Sequence, residues 1–433
     1  MRMPHWPTLP WQQNPEYDLT NILQLLKILG SPHKSTPPVI HIAGTNGKGS
    51  TVAILKSIFE AANYKVHAYT SPHLIEFNER IILAGEQITD HYLFEICERT
   101  RRASETLNME PRFFEAVTAA SFLAFSEVKA DILLLETGLG GRLDATNVIT
   151  QPLLTIITPI SYDHTEYLGN SLQVIAAEKA GIIKPNVPCV ISSQVQEVYE
   201  VLLNKCNNDS SPAFCYEYDF IIFKNNNHSF QYSTANIKQN FPAPSLLGDH
   251  QLINAAAAIA AVSLINKQFH ITKQQIDTGL QNTIWPARIQ KIDQAKYAHL
   301  INSHIQIWVD GAHNSNGAQV LAHWIRHNLT EPTYLILGMT KNRNIKDFCS
   351  HFYGIIIKGY TVKVLSEPSS YNATTLAEQA SLTGIEFAPA EELIDAIVKI
   401  DNQTKSSSIN IVICGSLFLA ADFFKLIQGL SSR

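Results

Sequence analysis

Short apolar runs alternate with longer segments whose apolar residues recur every three or four positions through most of the chain. VIHIA (39–43), KVHAY (65–69), DILLLE (131–136), LLTIIT (153–158) and PCVIS (188–192) carry apolar side chains at nearly consecutive positions, which predicts buried strands. Between them, residues 49–62 and 111–126 space their apolar side chains as one face of a helix, and Pro111 suits a first helical turn. This alternation predicts a parallel, doubly wound α/β sheet. From about 200 to 245 the pattern changes to short runs, DFIIF and HSFQYS separated by KNNN, which predicts an antiparallel appendage on the first domain. NAAAAIAAVSLI (254–265) reads as a closely packing helix, and another at about 272–281 leads to WPAR (285–288). Pro286 stops helical structure there. A second series follows, with strands expected at IQIWVD (305–310), TYLILG (333–338), TVKVLS (361–366) and NIVIC (410–414). Two domains are therefore expected, 1–286 and a smaller, Rossmann-like α/β domain at 287–433.

Composition narrows the class. A chain of 433 residues with 45% hydrophobic and 16% charged residues is long enough for two cores and too apolar to be disordered. The net charge of −5 supplies no basic field for nucleic acid, so any anionic ligand must be held by local groups. Six cysteines lie far apart, with neither a C-x-x-C pair nor zinc-site spacing, and read as reduced thiols. MRMPHWPTLP has prolines and a tryptophan where a secretory signal needs an apolar core, and no apolar run approaches the roughly 18 residues of a membrane span. A cytoplasmic location is expected.

HIAGTNGKGST (41–51) lies between a predicted buried strand and a predicted helix. Glycines in that place let backbone N–H groups converge on an anion, and the helix N-terminus adds its positive dipole end. Lys48 would reach a β- or γ-phosphate, which makes this a P-loop ATPase domain; a plain tight turn is the alternative. The loop departs from G-x-x-x-x-G-K-[ST], because Ile42 occupies the first glycine position and Gly49 follows the lysine. The hydroxyl that usually meets Mg²⁺ is thus displaced to Ser50, or another group replaces it. A phosphate-bound cation needs hard oxygen donors, and ligands in such sheets collect at the carboxyl ends of strands. Ser71, Glu136 and His164 follow or end three predicted strands. Each alone is compatible with a cap or a surface residue.

GTNGKGST, SPHL with ERI, ETGLGGRLDATN, DHTEYLG, EKAGI, WPAR, DGAHN and CGSLFLA, in this order over residues 41–420, resemble the Mur ligase superfamily and, within it, the folylpolyglutamate synthase/dihydrofolate synthase family. The resemblance implies an ATP-dependent ligase that joins L-glutamate to dihydropteroate, and then to reduced folates, through an acyl phosphate. It places Thr45, Asn46, Gly47 and Lys48 on the nucleotide loop and Asn254, Arg288 and Asp310 among the other ATP contacts. Ser71, Glu136 and His164 fall on the magnesium ligands, and Lys179 on a lysine that the family carbamylates for a second Mg²⁺. Arg112, Phe113, Phe114, Glu115, Leu143, Asp144 and Ala145 match positions that meet the pterin acid, although Arg112 stands where a smaller residue is expected. Arg80, His313 and Ser416 match positions near glutamate, which is expected between the domains, and members are commonly monomers.

Plainer readings stand beside these. Asn254 can cap the alanine-rich helix, Arg288 can be a structural ion-pair partner, and Asp310 can serve a ribose or order Arg288. Ser416 can cap the last helix, His313 can orient Asp310, and one of Phe113 and Phe114 can belong to the core. A monofunctional folylpolyglutamate synthase, another Mur-type ligase, a kinase and an ATP-binding regulator remain alternatives. Phosphate release that requires both acid and glutamate separates the ligase from the last two.

Overall fold

The computed structural model describes residues 18–225, 228–301, 304–404 and 407–430, and the MRMPHWPTLP stretch lies outside them. The chain forms two compact units. One takes the chain up to Ser245 together with Gln251–Ile284, and the other takes Leu246–His250 together with the chain from Trp285 onward.

The first unit is built on β1 (Val39–Ala43), β2 (Val66–Tyr69), β3 (Ile81–Leu83), β4 (Glu86–Gln87), β5 (Ile132–Glu136), β6 (Leu154–Ile157), β7 (Cys189–Ile191) and β8 (Ala213–Cys215), in the order β4-β3-β2-β5-β1-β6-β7-β8. Every residue of β1, β2, β5, β6 and β7 is buried, so the consecutive apolar positions are those of strands covered on both faces. Leu133 and Leu135 pack with the helices Asp90–Thr106 and Phe113–Glu127, while the helix Lys48–Ala61 lies against β5 and the helix Lys273–Asn282. Six strands run parallel as expected, but β3 and β4 join antiparallel at one edge. Their sequence IILAGEQ turns at Ala84 and Gly85, both at positive φ, and a turn that short can only return the chain antiparallel.

The antiparallel appendage is smaller than expected. β9 (Phe220–Lys224), β10 (Ser229–Thr234) and β11 (Lys238–Pro242) form it, whereas the earlier residues form the helix Gln196–Asn208 and the parallel strand β8. Pro111 lies outside its helix, which starts at Phe113 with Arg112 as N-cap. The alanine-rich helix spans Asp249–Phe269, so Asn254 lies inside it and cannot be its cap. That helix is also long and apolar enough to span a bilayer, contrary to the expectation from short apolar runs, but 67% of its apolar window is buried in the protein.

The second unit holds β12 (Gln290–Lys291), β13 (Ile305–Val309), β14 (Thr333–Leu337), β15 (Lys358–Thr361), β16 (Phe387–Pro389) and β17 (Ile409–Cys414), in the order β12-β13-β17-β14-β15-β16 and parallel except for β12. The strand expected at TVKVLS lies earlier. Pairing with β14 ends at Thr361, while Val362 and Val364 stay fully buried beyond the strand, so the apolar alternation outlasts the ladder.

Candidate active site

The loop after β1 turns at two glycines that no other residue replaces without strain. Gly44 has φ +151, and a Cβ there would stand 1.9 Å from Thr158 Oγ1; Gly47 has φ +88, with Asn254 Oδ1 2.5 Å from the same position. We expect Gly44→Ala to lower stability by about 1–3 kcal/mol and to abolish ATP binding, as read by urea unfolding and calorimetry. Thr45 and Asn46 direct their backbone N–H groups to Pro159 O at 3.0 and 3.2 Å, and Thr45 exchanges two bonds of 3.1 Å with Ser161. The donors aimed outward are therefore those of the first turn of the helix Lys48–Ala61, which have no intrahelical acceptor. Lys48 Nζ folds back onto Gly44 O (3.2 Å) and Thr45 O (3.3 Å), 4.0 Å from Glu136 Oε1.

Ser50, the displaced hydroxyl, is buried and accepts from Gln251 Nε2 at 3.3 Å, and Gln251 Oε1 accepts from Asn254 at 2.9 Å. Ser50 is therefore turned toward the alanine-rich helix. Gln251 is the residue that sequence reading missed, and its only signal is an amide three residues before Asn254, close to one helical turn away.

Glu136 ends β5, is buried, and accepts the backbone N–H of Ser71 through Oε2 at 3.4 Å. Ser71 and Glu136 thus meet at the carboxyl ends of adjacent strands, an oxygen-rich pair that suits a hard cation. His164 lies beyond β6 at φ +49, with its side chain 39% exposed and its Nε2 3.9 Å from Asp163 Oδ1. Among the described residues no group of three His, Cys, Asp or Glu side chains is gathered as a metal site, and this set contributes only two of those types.

Lys179 is almost fully buried, and its Nζ donates to Gly44 O at 2.8 Å. Burial, with the Lys48 charge nearby, pulls its ammonium down to about 7 against the opposing pull of Asp163 and Asp144. Lys48 and Lys179 thus share one loop carbonyl.

Arg80 is buried beside β2, with its guanidinium 5.3 Å from the Phe77 ring centre and 5.7 Å from that of Phe113. Its Nε donates to His73 Nδ1 at 2.8 Å, a contact that gives the SPHL motif a structural role. Phe113 is the exposed member of its pair; Phe114 packs on Tyr69 at 5.9 Å and over Gly138. One phenylalanine therefore belongs to the core and one to the surface. Glu115 is buried, which raises its carboxyl, and Oε2 accepts the Arg112 N–H at 2.9 Å. Asp144 is buried and raised for the same reason, and it accepts from Leu139 N at 2.9 Å and Thr146 N at 3.0 Å. Leu143 is half-buried and Ala145 buried on either side of it. Both carboxylates organise backbone. Arg80, expected near glutamate, thus lies among the residues expected near the pterin acid.

In the second unit, Arg288, Asp310, His313 and Ser416 gather at the carboxyl ends of β13 and β17, where Gly415 N donates to Ala312 O at 2.8 Å. Asp310 accepts from Ile289 N and Ala312 N, each at 2.7 Å, and burial raises its carboxyl against the attraction of Arg288. Ala287 (φ +56) and Ile289 (φ +46) flank Arg288 in left-handed conformations, unusual for a β-branched residue, and Asp310 holds that turn. Ordering the Arg288 segment is therefore what Asp310 does here. His313 Nδ1 bonds Gly311 O at 2.9 Å, and Ser416 caps the helix Leu417–Ile427 by accepting from Phe418 N at 3.1 Å.

The Mur ligase middle domain family matches residues 42–262, and the family described as Dihydrofolate synthetase, C-terminal domain matches residues 293–426. The chain is 32% identical over 422 residues to the dihydrofolate synthase/folylpolyglutamate synthase of Bacillus subtilis (strain 168), covering 95% of each protein. It is 31% identical over 417 residues to the folylpolyglutamate synthase of Lacticaseibacillus casei, covering 93% of each. Among solved structures, E. coli FolC in complex with DHPP and ADP matches with a TM-score of 0.85 at 25% identity, over 97% of this chain and 95% of that one. Mycobacterium tuberculosis folylpolyglutamate synthase complexed with ADP and AMPPCP matches with a TM-score of 0.84 at 28% identity, over 95% of each.

Proposed function

The chain belongs to the dihydrofolate synthase/folylpolyglutamate synthase family of Mur-type ATP-dependent ligases, and from that premise we propose that it makes dihydrofolate from dihydropteroate and L-glutamate and then lengthens reduced folates with further glutamates. The observation that carries this reading is the meeting of Lys48, Lys179, Ser71 and Glu136 around one loop at the carboxyl edge of β1, β2 and β5.

The acid's carboxylate oxygen attacks the γ-phosphorus of ATP, the bond to ADP breaks, and an acyl phosphate forms. Lys48 leaves its two carbonyl partners to meet the phosphates, and the first turn of its helix supplies N–H donors and dipole. The deprotonated glutamate amine then attacks the acyl carbon, and phosphate leaves with the oxygen that came from the acid. Thr45, Asn46, Gly47 and Asn254 shape the nucleotide loop, and Arg288, ordered by Asp310, contacts the nucleotide. Arg112, Phe113, Phe114, Glu115, Leu143, Asp144 and Ala145 surround the acid, with Arg80 at its glutamate-accepting end. His313 and Ser416 recognise glutamate. The oxygen-rich pair of Ser71 and Glu136 fits Mg²⁺, with His164 as a third ligand. When bound, Mg²⁺ screens the negative charge of the phosphates. A buried lysine amine that is partly neutral near pH 7 suits reaction with CO₂, and Lys179 as a carbamate would hold a second Mg²⁺.

The RLDATN motif favours dihydropteroate as one acid over a purely folate-extending activity. All six cysteines are buried free thiols, which supports the reducing cytoplasm. In this reading the protein acts as a monomer. The test is phosphate release from ATP with dihydropteroate plus glutamate, tetrahydrofolate plus glutamate, and each acid alone. Release that needs glutamate with both acids is expected. Release with tetrahydrofolate only would mark a monofunctional enzyme, and equal release without glutamate would sink the ligase reading.

A further inference from the structure

We infer that His41, in the middle of β1, is a positioning residue for the acid loop 138–147, acting through Thr146 and Asp144. The inference rests on the reading above that Leu143, Asp144 and Ala145 meet the acid. β1 is otherwise apolar, and His41 is 0% exposed. An imidazole there carries a desolvation cost that an aliphatic side chain of similar volume would avoid.

Its hydrogen bonds give it a task. His41 Nε2 lies 2.8 Å from Thr146 Oγ1, and the Thr146 hydroxyl also bonds Asp144 Oδ1. A carboxylate only accepts, so the hydroxyl hydrogen goes to Asp144, and Thr146 Oγ1 must receive the hydrogen of His41 Nε2. That leaves Nδ1 without a hydrogen, and among the described residues it has no hydrogen-bond partner. The imidazole is thus held on the side facing the loop alone. Asp144, anchored through Thr146, takes the N–H groups of Leu139 and Thr146 and so closes the loop on itself.

The far side of the loop is fixed separately. Asn147 Nδ2 bonds Arg142 O (2.9 Å) and Gly181 O (3.1 Å), and Arg142 N bonds Glu178 O (2.7 Å), tying it to the helix that carries Lys179. His41 supplies the tie to the strand that launches the nucleotide loop. Without it, Asp144 keeps its backbone bonds but loses its tether to the sheet, and the residues on either side of it lose their fixed place.

The experiment compares His41→Leu, His41→Gln, Thr146→Val and the His41→Leu/Thr146→Val double variant in steady-state kinetics, varying dihydropteroate and ATP separately. Displacing a substrate-contacting loop by a fraction of an ångström is expected to raise the KM for dihydropteroate about tenfold in His41→Leu, with the KM for ATP within about twofold. Glutamine keeps a donor in reach of Thr146 and should restore most of that loss. Thr146→Val should match His41→Leu, and the double variant should be no worse than either, since both cut one chain. Should His41→Leu not fold, His41→Gln and Thr146→Val decide the matter by the same criteria. An unchanged KM for dihydropteroate, a parallel rise for ATP, or multiplying effects in the double variant would overturn the inference. Leu143→Ala serves as the control: if it too leaves the KM for dihydropteroate unchanged, the assignment of the loop to the acid fails, whereas a raised value there with a silent His41→Leu defeats only the role of His41.

Discussion

Lys179→Met is expected to lower turnover by about 10²–10³-fold while leaving the protein folded. The lysine is buried with a single hydrogen bond to Gly44 O, so a methionine of similar length fills its place and removes a charge that burial already disfavours. In the proposed modification the neutral amine reacts with CO₂ to give a carbamate and a proton. With the group titrating at about 7, its neutral fraction, and with it the carbamate, rises as pH increases through that value. In ¹³C-bicarbonate the protein should therefore show a carbamate carbon that strengthens from pH 6 to 8 and is missing from Lys179→Met. A fully active variant, or a carbamate signal that persists in it, would show that another group fills this role.

Lys48→Met is expected to cost a similar factor, about 10²–10³ in kcat, because in the proposed mechanism the charge it removes is the one nearest the phosphates as the γ-phosphoryl moves. Its present partners are two backbone carbonyls at 3.2 and 3.3 Å and Glu136 at 4.0 Å, all at the mouth of the loop, so stability should change little. Lys48→Arg should recover little, since a planar fork does not replace a compact ammonium over two converging carbonyls. Single-turnover measurement of ADP formation checks both variants. Wild-type rates in Lys48→Met would remove the loop from the chemistry.

The central strands and the loop glycines were legible because their causes are local. A strand covered on both faces must be apolar throughout, and a chain that turns against Thr158 needs Gly44. What could not be read was how the polar side chains are used. Asp144, Glu115 and Asp310 look in sequence like carboxylates available to a ligand, yet each spends oxygens on neighbouring backbone N–H groups, a choice set by tertiary folding. The capping alternative for Asn254 fails because the helix starts earlier, after Gly248 at φ +102. The likeness of TVKVLS to a strand came from burial that continues after pairing has ended. Lys179 gives no sign of its burial in EKAGI; contact with Gly141 on one side and Gly44 on the other arises only when distant segments meet.

The account turns on phosphoryl transfer to a carboxylate at the loop that holds Lys48. The direct measurement uses dihydropteroate labelled with ¹⁸O in its carboxylate, together with ATP and glutamate, followed by mass analysis of the released phosphate. One ¹⁸O should appear in phosphate for each amide formed. Unlabelled phosphate accompanying amide formation would mean that the acid is never phosphorylated, and would contradict the mechanism.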